Sequence, residues 1–252
     1  MQDRIQQRKL FGVALLSICC ISALSAFRSL RSYSQSKTQE QIDTSRFPIA
    51  ESNAPLPTDP IQKAKRDRKN RKYNGRHAPV ISESTDQIYS YTDWEVGLPA
   101  LPIAKSSVIL IGEVAKAEAY LSQDRTAVYS EFTIRIDETL KTDKSFSAVL
   151  GDSFVVERLG GRVRLPSGKL AVSVIDQQDM PRIGGRYVLF LTHSFPLGGE
   201  TDDLYILTGY ELRNGFVFPL DKISPKHPIA AYRGTDEMSF LTDLRNAIIK
   251  SL

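Results

Sequence analysis

The sequence predicts an all-β domain that is followed by one helix. From Ser107 onward hydrophobic residues recur with a period of two over several short segments. Tight-turn sequences separate these segments, among them Pro166-Ser167-Gly168 and Asn214-Gly215. Short strands joined by tight turns favour a small closed or partly open antiparallel barrel, or a β-sandwich.

Several segments carry the strand pattern. Ser107–Val114 is apolar almost throughout, which predicts a strand that is covered on both faces. Glu131–Leu140 alternates between apolar and polar residues, as a strand with one polar face does. Arg186–Thr192 is the most hydrophobic segment and is predicted to be central in its sheet. The other predicted strands are Ser153–Leu159, Arg162–Leu165, Leu170–Ile175, Leu204–Leu212 and Phe216–Phe218.

A C-terminal helix is predicted over residues 235–251. Thr235 is the expected N-cap, and Asp236 and Glu237 favour the positive end of the helix dipole. The apolar residues that follow recur at spacings of three and four, so they form one stripe. They are Phe240, Leu241, Leu244, Ala247 and Ile248. We expect this stripe to pack on the β-domain, with a partner-binding helix as the alternative.

Residues 1–27 are predicted to be a signal-anchor or a cleaved signal peptide. Arg8 and Lys9 directly precede an uncharged and mostly apolar run, Leu10–Phe27. As a helix this run spans about 27 Å, slightly less than a hydrocarbon core of about 30 Å. An uncleaved anchor is favoured; a cleaved signal peptide would be cut after Ser25, and lipidation of Cys19 is a third interpretation. The positive charges abutting the run favour an orientation with the rest of the chain outside the cytoplasm.

This leader predicts a location in the bacterial cell envelope. The chain would be a single-pass membrane protein with its C-terminal domain outside the cytoplasm, or a secreted or periplasmic protein after cleavage. Cys19 and Cys20 are the only cysteines, and both lie in the leader. The remainder therefore has no disulfide, no thiolate metal site and no cysteine nucleophile.

Residues 28–92 are predicted to be a disordered, basic, Pro-containing linker to a domain at 93–252. Residues 1–92 carry a net charge of +7, whereas residues 93–252 carry −3. Within the predicted linker lies a cluster of eight cations with one acid, Asp67. The cations are Lys63, Lys65, Arg66, Arg68, Lys69, Arg71, Lys72 and Arg76.

Three interpretations of this cluster remain open. It is a solvated and transiently helical linker, or it contacts an anionic lipid or polymer through non-specific electrostatics. Nucleic acid is the least favoured partner, because the leader takes the chain out of the cytoplasm.

One resemblance accompanies these patterns. The order of five segments resembles uncharacterised exported bacterial proteins with a small barrel similar to OB-fold or netrin-like domains. The segments are Ile111-Gly112-Glu113-Val114, Tyr129–Ile134, Glu138–Lys141, Gly160-Gly161 and Pro181–Leu191. The resemblance covers about residues 105–220 and implies that fold. Thr142 and Arg186 depart from its pattern. Netrin-like protease inhibitors use an amino-terminal cysteine, which this domain lacks, so their activity is not implied.

Catalytic motifs are scarce. His77, His193 and His227 show no metal-ligand spacing, and His193 is expected at an edge or loop. Asp202-Asp203 is predicted to lie in a solvated turn. Glu131 and Asp137 form no assignable acid/base pair, and we predict no cofactor.

Two functions remain from different classes. The first is a non-enzymatic, membrane-tethered extracytoplasmic module that binds a protein, peptide or glycan. The second is an envelope hydrolase with a site assembled from scattered Asp, Glu, His and Ser residues. A shallow apolar groove on the barrel would favour the first, whereas a deep pocket holding His193 or an acidic pair would favour the second.

Overall fold

The chain is mostly β, as the sequence predicts. The computed structural model describes residues 43–75, 79–90, 94–143, 150–194 and 200–251. The predicted leader, residues 1–27, lies outside these ranges. Within them, no helix combines the length and the apolar composition that crossing a membrane requires.

The described residues form ten strands in two sheets and two α-helices. The strands are β1 (Ile49–Glu51), β2 (Gln87–Ser90), β3 (Val108–Leu121), β4 (Val128–Lys141), β5 (Ser153–Leu159), β6 (Gly161–Arg164), β7 (Leu170–Ile175), β8 (Arg186–Ser194), β9 (Glu200–Arg213) and β10 (Phe216–Pro219). The helices are α1 (Pro60–Lys72) and α2 (Glu237–Ser251). Short 3₁₀ helices occupy Thr44–Arg46, Ile103–Lys105 and Pro228–Tyr232.

The larger sheet has the strand order β10-β9-β5-β4-β3-β8, and β8 also pairs with β9. These pairings join β3, β4, β5, β9 and β8 in a closed ring of five strands. All pairings around the ring are antiparallel except β5–β9, where Glu157 lies opposite Tyr205 in parallel. The smaller sheet has the order β1-β6-β7-β2, and its outer pairs β1–β6 and β2–β7 are parallel.

Alternation along the ring strands separates two cores. Val108 and Leu110 of β3 belong to a buried cluster to which all five ring strands contribute, so this cluster fills the interior of the ring. Ile109 and Ile111 belong to a second cluster that includes α2. The prediction that Ser107–Val114 is covered on both faces is therefore confirmed.

Helix α2 covers the outer face of β3, β8 and β9. Its buried residues are Phe240, Leu241, Leu244 and Ile248, four of the five members of the predicted stripe. The N-cap differs from the prediction by one residue. Asp236, rather than Thr235, accepts a hydrogen bond from the backbone N–H of Ser239 and precedes the first helical residue.

The described part of the predicted linker is folded. Residues 43–75 and 79–90 contribute α1 and the two outer strands of the smaller sheet, so the expectation of a disordered segment does not hold for them. Their apolar anchors are few but buried, and include Phe47, Tyr73, Ile81 and Ile88. Phe47 enters the cluster inside the ring. Residues 28–42, 76–78 and 91–92 lie outside the described ranges.

Candidate functional site

The basic cluster of the sequence forms helix α1. Asp59 caps this helix, because its side chain accepts hydrogen bonds from the backbone N–H groups of Ile61 and Gln62. Pro60 occupies the first turn, where its missing N–H costs nothing. The helix ends at Lys72, with cations in the last turn that suit the negative end of the dipole. It has no apolar stripe, so hydrophobic packing cannot account for its attachment to the sheet.

Three cations on one face of α1 meet three carboxylates on the outer face of the ring. Arg66, Lys69 and Lys72 recur every three residues and therefore lie near one another on the helix surface. Their partners are Glu131 of β4, Glu157 of β5 and Asp203 of β9. We call these six residues the ion cluster; its formal charges cancel.

The contacts in the ion cluster are short and shared. Nη1 and Nη2 of Arg66 lie 2.9 and 3.0 Å from the two carboxylate oxygens of Glu131, a bidentate pair. Lys69 Nζ lies 2.9 Å from Glu131 and 2.7 Å from Glu157. Lys72 Nζ lies 2.8 Å from Glu157 and 2.5 Å from Asp203. Lys69 is only 6% exposed, so its charge is stabilised by these partners rather than by water.

Tyrosines surround the ion cluster. Tyr73 stacks on Tyr129 with ring centroids 4.1 Å apart, and its hydroxyl donates to Glu157 over 2.6 Å. The guanidinium of Arg66 lies 3.4 Å from the ring centroid of Tyr120, a cation–π contact. Glu157 and Arg66 of the ion cluster therefore each contact a tyrosine directly.

The cluster keeps its charged state. Burial by itself raises the pKa of Glu131, but the hydrogen bonds from Arg66 and Lys69 outweigh it and hold this pKa below the ordinary value of 4.5. Burial lowers the pKa of Lys69, yet contacts with Glu157 and Glu131 leave it above the ordinary value of 10.5. At neutral pH the carboxylate of Glu131 and the ammonium of Lys69 are therefore both ionised.

The structure divides the eight predicted contact residues into two groups. Arg66, Lys69 and Lys72 face the sheet, whereas the exposed residues are Lys63, Lys65, Arg68 and Arg71. Arg76 lies outside the described residues. A contact with an anionic lipid or polymer stays a prediction, and it rests on four exposed cations of the helix instead of eight in a flexible segment.

A groove of about 420 Å³ runs beside α1. One wall is Ala50–Ser52 at the end of β1, continued by Ala54–Pro57. The second wall is Arg66 and Asn70 of α1, and the third is 119–123 with Arg125 at the β3–β4 turn. Its lining is mixed, since small and apolar side chains share it with polar ones and with three charged residues, one glutamate and two arginines. Sequence reasoning missed this groove, because two of its walls come from the segment interpreted as a linker.

A second group of buried charges lies at one end of the ring. Arg158 donates to Asp221 over 2.8 Å and to the backbone oxygen of Asp179 over 2.7 Å. Asp221 also accepts from the backbone N–H of Asp179 and from Thr208. Asp179 pairs with Arg46, and burial raises the pKa of its carboxyl. Both carboxylates thus stabilise neighbouring groups, which gives no added support to the hydrolase alternative.

The remaining candidates have other contacts. His193 Nε2 lies 3.3 Å from Asp143 at the end of β8, and His227 accepts from the backbone N–H of Ile229. The solvated turn predicted for Asp202-Asp203 is wrong, since both residues belong to β9 and Asp203 joins the ion cluster. His77 lies outside the described ranges. Among the described residues no group of His, Cys, Asp and Glu is arranged to hold a metal ion.

Comparison with known proteins finds no match for this chain. No family model matches the chain, and neither a curated protein nor a solved structure matches it.

Proposed function

We propose that this protein is a non-enzymatic binding module, held at the outer side of a membrane by residues 1–27, whose ring of strands is an OB-like or netrin-like barrel. Its ligand occupies the groove beside α1. The groove is the observation that carries this proposal, since it combines apolar and polar side chains in one concave surface, as ligand-binding sites do.

The shape and chemistry of the groove favour an extended peptide. β1 is one of the two outer strands of the smaller sheet and lines the groove through Ala50 and Glu51. Outer strands offer unpaired backbone groups with which extended peptides can align. Leu56 is 42% exposed and offers an apolar contact to a peptide side chain. Arg125 adds positive charge, whereas Arg66 and Glu51 of the lining are already paired with Glu131 and Arg164, so a peptide with an acidic residue fits best.

Selection of peptides on the full-length chain tests this proposal. A random-peptide phage library is panned on the protein in detergent micelles, and a glycan array is probed in parallel. Selected peptides are then measured against Leu56→Asp and against Leu150→Asp, a matched change at an exposed leucine that does not line the groove. We expect Leu56→Asp to weaken binding about tenfold or more, because it places a charge in an apolar contact.

The matched control should bind like the wild type. Peptides that bind equally to both variants would overturn the assignment of the groove. Glycans whose binding depends on Leu56 would keep the site but replace the peptide as its ligand.

A further inference from the structure

Five cations surround a small cavity of about 130 Å³ that is separate from the groove. Its walls come from the 3₁₀ helix before β1, the turn before β8, the β9–β10 hairpin and the segments that follow β10. The lining cations are Arg46, Arg182, Arg213, Lys222 and Arg233. We call this the arginine cavity.

The carboxylates that line the arginine cavity do not balance these cations. They are Asp179, Glu211 and Asp221. Asp221 is already paired with Arg158, which does not line the cavity. Asp179 pairs with Arg46 and Glu211 with Arg182. The positive charges of Arg213 and Arg233 therefore exceed the negative charge of the walls.

Two of these cations are poorly neutralised. Arg233 is exposed, and its side chain has no hydrogen bond or ion pair among the described residues. Arg213 lies over the ring of Phe218 at 4.6 Å, and the carboxylate it faces, Glu211, is 3.6 Å away. In addition, the buried Nε of Arg46 has no hydrogen-bond partner in the described structure. The guanidinium groups of Arg213 and Arg233 are thus available to an acceptor.

The dimensions suit a tetrahedral oxyanion. A cavity of about 130 Å³ has the space of about four waters at ~30 Å³ each, which is enough for one phosphate or sulfate group. A neighbouring cavity of about 390 Å³ shares Arg182, Glu211 and Arg213 with it. That second space is lined by the turn Ile183–Gly185 and by Asn214, and it can take the body of a larger ligand.

We propose that the arginine cavity is an anion-binding site for a phosphate or sulfate group carried on a small organic ligand. Arg213 and Arg233 bind the oxyanion, and the rest of the ligand extends over Ile183–Gly185. Planar guanidinium groups match the oxygens of such anions in a way that a lysine does not. This site goes beyond the proposed function, because it uses neither the groove nor α1.

Titration of the full-length chain at low ionic strength tests the site. The probes are inorganic phosphate, inorganic sulfate, glucose 6-phosphate and glucose, and binding is followed by isothermal titration calorimetry. We expect both inorganic anions to bind, glucose 6-phosphate to bind more tightly because of the neighbouring cavity, and glucose not to bind. Equal affinity for phosphate and glucose 6-phosphate would show that the site recognises only the free inorganic anion. It would overturn the proposal that the ligand carries an organic group.

Variants separate this site from other cations. Arg213→Ala and Arg233→Ala alter exposed residues, so circular dichroism should confirm an unchanged fold. Each should weaken anion binding about tenfold, as loss of one charge-assisted contact does. Arg135→Ala is the matched control at an exposed arginine that lines neither cavity. Anion binding that survives both changes would show that other cations of the chain bind the anion and would overturn the proposal.

Discussion

The two helices are attached to the same ring of strands in opposite ways. Helix α2 buries Phe240, Leu241, Leu244 and Ile248 against β3, β8 and β9, so its attachment depends on hydrophobic burial. Helix α1 buries one residue of its own, Lys69, and holds β4, β5 and β9 through the ion cluster. A helix can therefore be fixed on a sheet without an apolar face when the sheet supplies carboxylates in the right positions.

This difference has energetic consequences. Removing hydrocarbon from α2 leaves a cavity, whereas removing one charge from α1 leaves an uncompensated partner in a partly dry site. Hydrophobic burial does not titrate, but a carboxylate in an ion pair does. The two attachments should therefore respond differently to mutation and to acid.

The largest effect is expected when the attachment of α2 is broken. Phe240→Ala should lower the free energy of unfolding by about 3–5 kcal/mol, because the side chain is fully buried and touches Tyr210 and Tyr232. Urea denaturation measures the loss. Ile249→Ala on the same helix is the control, since Ile249 is 68% exposed and should change stability by less than about 0.5 kcal/mol. Equal losses would show that α2 does not depend on its buried stripe.

A smaller effect is expected when the attachment of α1 is weakened. Lys69→Met removes the ammonium that bridges Glu131 and Glu157 and should cost about 1.5–3 kcal/mol, since Arg66 and Lys72 still neutralise part of the cluster. Hydrogen exchange should show faster exchange in α1 and unchanged exchange in α2.

Lys65→Met is the matched control for this change. Lys65 is exposed on the same helix and makes no contact with the ion cluster, so its loss should leave the exchange of α1 unchanged. If Lys65→Met loosened α1 as much as Lys69→Met does, helix propensity or net charge would explain the result better than the ion cluster.

The smallest effect is expected from acid. The pKa of Glu131 is held below its ordinary value of 4.5, so the folded state favours the ionised carboxylate. Its contribution is complete above the unfolded pKa and is lost as the pH falls through the lower, folded pKa. Lowering the pH from 6 to 3 should therefore speed exchange in α1 more than in α2. In Glu131→Gln this difference between the helices should shrink; an unchanged difference would assign it to other groups.

The β pattern was largely predictable because it is local. β3 to β10 each overlap a predicted strand, and Asn214-Gly215 makes the predicted hairpin turn with both residues at positive φ. Only the lengths were underestimated: β3 continues to Leu121, beyond the predicted end at Val114. Past that point, residues such as Lys116 and Glu118 face solvent, and the apolar period that marks a strand fades.

The N-terminal elements could not be found in this way. β1 and β2 have three and four residues, and each pairs in parallel with a strand far away in the sequence. Helix α1 is polar all round, and its partners Glu131, Glu157 and Asp203 lie on three separate strands. A capping signal at Asp59-Pro60 was present, but nothing local distinguishes a docked polar helix from a solvated one.

The pairing of β1 with β6 also bears on how the chain acquires its structure. Glu51 and Arg164, which form an ion pair across these strands, are 113 residues apart in the sequence. Closing so long a loop costs chain entropy before the contacts that stabilise it can form. Folds dominated by such pairings take about milliseconds to seconds to form. Among the described strands β1 is the first to be synthesised, yet its partner β6 follows more than 100 residues later. Until β6 and β7 exist, Ile49–Glu51 has no sheet to join, and the groove beside it has no stable wall.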